Sequence, residues 1–160
     1  MFKILSIFLL LLSILFSKGV HFSETKYYDA LEKTLTKQGH ITFDGHGKIR
    51  IEYEHNQSIV TYTGTFLYIE KKGKIKKVDL SQKPAIKMFF VLFEAIYLNQ
   101  NNVIEAYFEK KVLEGVMLLT PKGKTRQYIS KVRYKRVKNR LKFLEIYLTN
   151  KDWVRIETGD

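Results

Sequence analysis

After residue 19, segment after segment of this chain alternates apolar and polar side chains with a period of two, and only a few turn-forming residues lie between consecutive segments. Successive side chains of a strand point to opposite faces, so this pattern describes a sheet with one buried and one wet face. Connections so short join antiparallel neighbours, because parallel strands need a crossover of a dozen residues or more. In residues 39–54, GHITFDGHGKIRIEYE, Ile41 and Phe43 share one face of a first arm. Ile49, Ile51 and Tyr53 share one face of a second, with Lys48, Arg50, Glu52 and Glu54 opposite and Asp44-Gly45-His46-Gly47 as the turn. Further segments at 58–63, 65–70, 75–80, 108–113, 116–120, 125–138, 141–149 and 153–158, with 20–28 as a first strand, predict about ten strands in one antiparallel meander.

One segment breaks the rhythm. Residues 84–98, PAIKMFFVLFEAIYL, are too long and too continuously apolar for a meander strand, and only Lys87 and Glu94 are charged. Pro84 suits a first helical position and Ser81 lies upstream as a cap, so the segment is read as a helix buried on more than one side. The predicted fold is mainly β with an α+β character: a single curved antiparallel sheet wrapped over one helix that serves as plug or lid. Periodicity leaves two interiors open, a filled aromatic core and a pocket.

The first residues read differently. Met1-Phe2-Lys3 is a short positive start, and residues 4–16 are apolar except for Ser6 and Ser13. That run is shorter than the roughly 20 residues of a membrane-spanning helix, which makes it a signal peptide, with cleavage expected after Gly19 and one domain over residues 20–160. The chain has no cysteine, which excludes a lipoprotein signal, a disulfide framework, a thiol nucleophile and Cys-based metal sites. Residues 20–160 retain 26 basic residues against 16 acidic ones, since Lys3 and Lys18 are lost with the leader. Residues 122–142 hold ten of those bases and no acid, and Lys71, Lys72, Lys74, Lys76 and Lys77 form a second cluster. In the cytosol such a ribbon would point to nucleic acid; behind a signal peptide it points to anionic lipid or an acidic protein surface, with Lys131, Arg133, Lys135, Arg136 and Lys138 as docking candidates. A solvated basic face without a partner fits the same residues.

Catalytic patterns are missing. His21, His40, His46 and His55 offer no metal spacing, and the nearest approach, Asp44 with His46, lies in a turn that turn chemistry explains. Ser23, Ser58, Ser81 and Ser130 occupy no nucleophile elbow, and Glu52 with Glu54 alternate with Lys48 and Arg50 as cross-strand charge pairs do. The expectation is a protein that binds, with no catalytic residue, no metal and no cofactor.

In order and spacing the motifs resemble a family. Phe22-Ser23-Glu24-Thr25-Lys26, then Gly39-x-Ile41-x-Phe43, Ile49-Arg50-Ile51-x-Tyr53 and Thr65-Phe66-Leu67-Tyr68 look like the first half of the periplasmic outer-membrane lipoprotein carriers of the LolA type. The helix at 84–98, Met117-Leu118-Leu119-Thr120-Pro121, the strand through Ile129 and Val132, and the closing LTNKDWVRI of residues 148–156 follow in the same order. The resemblance implies an incomplete antiparallel barrel whose apolar face, lidded by helix, carries the acyl chains of a lipoprotein, or a related lipid, through the periplasm. It implies an inner-membrane release complex and an outer-membrane acceptor lipoprotein as partners, transient membrane contact, no nucleic acid, and a monomer. The lining candidates are Ile41, Phe43, Ile51, Tyr53, Phe66, Tyr68, Phe89, Phe90 and Phe93. The alternative is a basic periplasmic interaction module with a filled core that docks on anionic lipid or a partner protein.

Overall fold

The computed structural model describes residues 19–44 and 46–159; the leader expected over residues 1–19 lies outside them except for Gly19. Eleven strands form one antiparallel sheet: β1 Val20–Tyr28, β2 Lys33–Phe43, β3 Ile49–Tyr53, β4 Ile59–Tyr62, β5 Phe66–Lys71, β6 Lys74–Asp79, β7 Phe108–Leu113, β8 Val116–Pro121, β9 Ile129–Val137, β10 Arg140–Leu148 and β11 Trp153–Thr158. Between β6 and β7 run two helices, α1 over Pro84–Tyr97 and α2 over Asn101–Tyr107. The spatial order is β6-β5-β4-β3-β2-β1-β11-β10-β9-β8-β7, so two meanders meet where the first strand pairs with the last, and the sheet ends at two free edges.

Several hairpins are set by local chemistry. Lys72-Gly73, Glu114-Gly115 and Lys138-Asn139 all have positive φ at both positions, as the two-residue turns that match strand twist require. Lys138-Asn139 divides β9 from β10, so the long strand predicted over 125–138 is in fact a 3-10 turn at Gly123–Gln127 followed by β9. Strand β2 begins at Lys33, well before the predicted first arm, because Thr34 and Thr36 pair with Tyr27 and Thr25 of β1.

The register divides every strand into two faces. Ile41 pairs with Ile51, Ile51 with Val60, and Val60 with Ile69, which carries one face from β2 to β5. Across the seam Lys26 pairs with Val154, Val154 with Ile146, and Ile146 with Val132, which carries the same face from β1 to β9. The helices cover this inner face. Phe90 of α1 stacks on Tyr62 of β4 at 4.6 Å between centroids, and Tyr97 stacks on Phe43 of β2 at 4.2 Å. The Arg136 guanidinium of β9 donates to the carbonyls of Ile96 and Tyr97. Strands β4 and β9 stand six places apart in the sheet order, about 29 Å on a flat sheet at roughly 4.8 Å per strand. One helix, about 10–12 Å across with its side chains, touches both. The sheet must therefore curl around α1, as the apolar helix demands.

The two ends of α1 are held unequally. Lys83 precedes it with no side-chain cap, Ser81 is not the cap expected, and the first turn holds no acid. At the other end Asn99, with φ of 57°, closes a Schellman arrangement in which Gln100 donates to Ala95 and Asn99 to Ile96. Arg136 then places a cation on the Ile96 and Tyr97 carbonyls, at the negative end of the helix dipole.

Gly39 shows how tightly the inner face is built. A Cβ there would lie 2.1 Å from the Glu52 carbonyl oxygen and 3.1 Å from the ring of Phe22, which covers the glycine. Gly39→Ala is expected to cost about 2 kcal/mol or more, because backbone must move to admit the methyl group. Urea unfolding against the parent chain measures the loss.

Candidate functional site

Under the N-terminal half of α1 the inner face is not filled. A cavity of about 490 Å³ is lined from the sheet by Val60, Leu67, Ile69, Ile146, Leu148 and Val154, and from the helix by Ala85, Ile86, Phe89 and Phe90. Farther along the helix Phe93, Ala95 and Ile96 are buried against the sheet, and past them a more polar cavity of about 660 Å³ opens at Tyr97, lined by Val20, His21, His40, Arg140 and Leu141 among others. Of the two interiors the sequence left open, the fold builds both, one under each half of α1.

The polar residues of the lining gather at one end. Lys26, Lys37, Tyr53, Asn56, Ser58 and Lys71 belong to the end of the sheet where β1, β3 and β5 finish and β2 and β4 begin. Behind them lies Glu24, only 4% exposed, which accepts from the Tyr53 hydroxyl at 3.0 Å and pairs with Lys26 Nζ at 3.1 Å. Burial first, and then the Glu24 carboxylate beside it, push the Tyr53 phenol well above its ordinary pKa, so the hydroxyl stays a donor. Lys37 Nζ sits 4.9 Å from the Tyr53 ring centroid. A buried carboxylate thus fixes the tyrosine and one lysine at the mouth of an apolar space.

The nine lining candidates separate by face. Tyr53, Phe89 and Phe90 line the cavity. Ile41, Ile51 and Phe93 are buried in the packed interior, and Phe43 is wedged between Phe93 and Tyr97. Phe66 and Tyr68 are on the outer face, a correction to their expected place: Leu67 and Ile69 are the β5 residues in register with Tyr62 and Val60. Both outer rings lie against Lys77, whose Nζ is 3.7 Å from the Phe66 centroid and 5.9 Å from that of Tyr68. Val60, Leu67, Ile69, Ile86, Ile146, Leu148 and Val154 were not among the candidates; hairpin register followed from Ile51 outward would have found those on β4 and β5.

The docking candidates divide as well. Lys131, Arg133 and Lys135 share the outer face with their partners Tyr147, Glu145 and Phe143. Arg133 pairs with Glu145 at 3.1 Å, Arg155 pairs with the same carboxylate, and Lys131 lies over the Tyr147 ring. Arg136 is on the inner face, where it caps α1 and is not available to a membrane, and Lys138 is the first residue of a hairpin turn. His21 and His40 both face Glu54, at 3.3 and 3.8 Å. No group of three or more acidic or histidine ligands forms a metal site among the described residues.

No family model and no curated protein matches the chain. Solved structures do. A LolA superfamily protein, NE2245 from Nitrosomonas europaea, is similar at 10% identity and a TM-score of 0.40, over 90% of this chain and 84% of that one. A domain described as an outer membrane lipoprotein-sorting protein, from Vibrio parahaemolyticus, is similar at 8% identity and a TM-score of 0.43, over 89% and 84%. The first bears the family name that the sequence resembles; at these identities neither likeness assigns a residue, ligand or partner to this chain.

Lys26→Met leaves Glu24 buried with only the tyrosine hydroxyl. The expected loss is about 1–2 kcal/mol, below the full cost of breaking a buried pair because Lys26 is partly solvated. Adding Glu24→Gln is expected to restore most of it, which a double-mutant cycle by urea unfolding measures.

Proposed function

We propose that the chain is a periplasmic carrier that binds the acyl chains of lipoproteins, or of a related lipid, and shields them from water on the way to the outer membrane. The single observation that supports this is the apolar cavity between the curled sheet and the N-terminal half of α1. Burying aliphatic carbon there would stabilise a complex by about 0.8 kcal/mol for each fully buried methylene. Entry and release would go through the less secured end of the helix, since Ala85, Ile86, Phe89 and Phe90 cover the cavity while Arg136 holds the other end. Ile86 is 39% exposed even as it lines the cavity, as suits a residue at a boundary that opens.

On this reading residues 1–19 direct export, residues 20–160 are the carrier, and the protein works as a monomer that takes cargo from an inner-membrane complex and yields it to an outer-membrane acceptor. No reaction is required of it. The basic docking module with a filled core accounts for the charge but leaves the cavity unexplained.

Protein purified without detergent is expected to carry an acylated species, seen by native mass spectrometry and identified after organic extraction. Ile86→Glu, which puts a carboxylate at the cavity boundary without disturbing the packed half of α1, is expected to lower retention about tenfold. An empty parent protein that also takes up no acylated lipoprotein would exclude the carrier reading.

A further inference from the structure

We propose that the cavity selects an amphiphile with a single aliphatic chain and an acidic head, and that Lys37 and Lys71 receive the head at the mouth. This rests on the acyl-binding reading and adds to it the chemical class of the ligand.

Capacity sets the number of chains. An apolar cavity of about 150 Å³ takes one benzene, or roughly 25 Å³ per carbon. At that ratio the 490 Å³ here holds roughly twenty carbons. One long chain fills that volume.

Charge sets the head. Among the described strand residues of the inner face Glu24 is the one carboxylate, and it is buried and already satisfied by Tyr53 and Lys26. Lys26, Lys37 and Lys71 all line the cavity, so three ammonium groups face that one carboxylate and leave a surplus of two positive charges. Neither Lys37 nor Lys71 has a carboxylate partner among the described residues. They come from the same half of the sheet, Lys37 from β2 and Lys71 from the end of β5, three strands apart. Their aliphatic stems can continue the apolar lining while the ammonium groups reach the mouth. Both lysines are exposed, so their contacts with a head are solvated and individually modest; a head with one or two negative charges neutralises the surplus through two such charge-assisted contacts at once. A neutral head would leave both lysines uncompensated. Carboxylate and phosphate ester heads share the required chemistry.

The test is calorimetric titration of the purified protein with dodecanoate, dodecyl phosphate and dodecanol, each below its aggregation concentration and at low salt. At least one of the two acids is expected to bind about tenfold or more tighter than the alcohol, and the tighter acid identifies the head. Lys37→Gln and Lys71→Gln are each expected to reduce that advantage several-fold, read as the ratio of acid affinity to dodecanol affinity within each variant. Equal affinity for all three ligands overturns the head assignment and leaves acyl binding standing. An acid preference that survives both substitutions overturns the role of the two lysines. No binding of any ligand overturns the acyl-binding reading, and this inference with it.

Discussion

The pairing of β1 with β11 holds the architecture together. Every other strand pair joins neighbours in sequence across a short connection, so each of the two meanders, β1–β6 and β7–β11, is a local structure. The seam alone makes them one sheet. It runs from Phe22 opposite Thr158 to Tyr27 opposite Trp153, close to the two ends of the described chain. Closing so long a loop costs entropy that grows only with the logarithm of its length, and the seam's ladder offsets it with a continuous inner face. Lys26 and Val154 are register partners across it and both line the cavity. The cavity floor exists only when the seam is formed.

A continuous face of eleven strands does not by itself make a cavity; α1 does. The helix is apolar nearly all round, and a flat sheet would cover only one side of it. Curling brings β4 and β9 against the same helix, and the residues presented along α1 then decide where space remains. Around Phe93 the rings of Phe43 and Tyr97 fill the space, Phe93 meeting Phe43 at 5.4 Å and Tyr97 stacking on it. In the N-terminal half Ala85 and Ile86 are smaller, and the strand residues below them are aliphatic.

That partition was only partly legible in the sequence. The period-two pattern, the short turns and the apolar segment after Pro84 led directly to an antiparallel sheet with one buried helix, because each is a local signal with one physical cause. Strand β5 was not legible in the same way. In Phe66-Leu67-Tyr68-Ile69 both parities are apolar, and aromatic size favoured the wrong one; Lys77 covers the two rings from the next strand, a contact no single-strand pattern records. Helix α2 is a single short element of mixed polarity, with only Ile104 buried, and leaves almost no periodic trace. Of the lysines at the mouth, Lys71 reads in the sequence as one of a surface cluster and Lys26 and Lys37 carry no signal of their own, because their inward parity shows only once β1, β2 and β5 are in register.

The same register changes the meaning of the basic ribbon. Much of its charge completes the fold: Arg126 donates to the Pro121 carbonyl, Lys122 to that of Glu105, Arg133 to Glu145, and Arg136 to the end of α1. Glu145 is buried on the outer face because Arg133 and Arg155 lie over it with the Tyr147 hydroxyl. These cations still add to a field that draws anions toward the molecule. Beyond roughly 8–10 Å, however, salt screens such a field, so it can raise encounter rates but cannot discriminate one anion from another. Discrimination needs charges held where water is thin and geometry is fixed. On the inner face Lys26 comes nearest to that condition, paired with the buried Glu24 beside Tyr53, while Lys37 and Lys71 are exposed at the edge of the apolar wall.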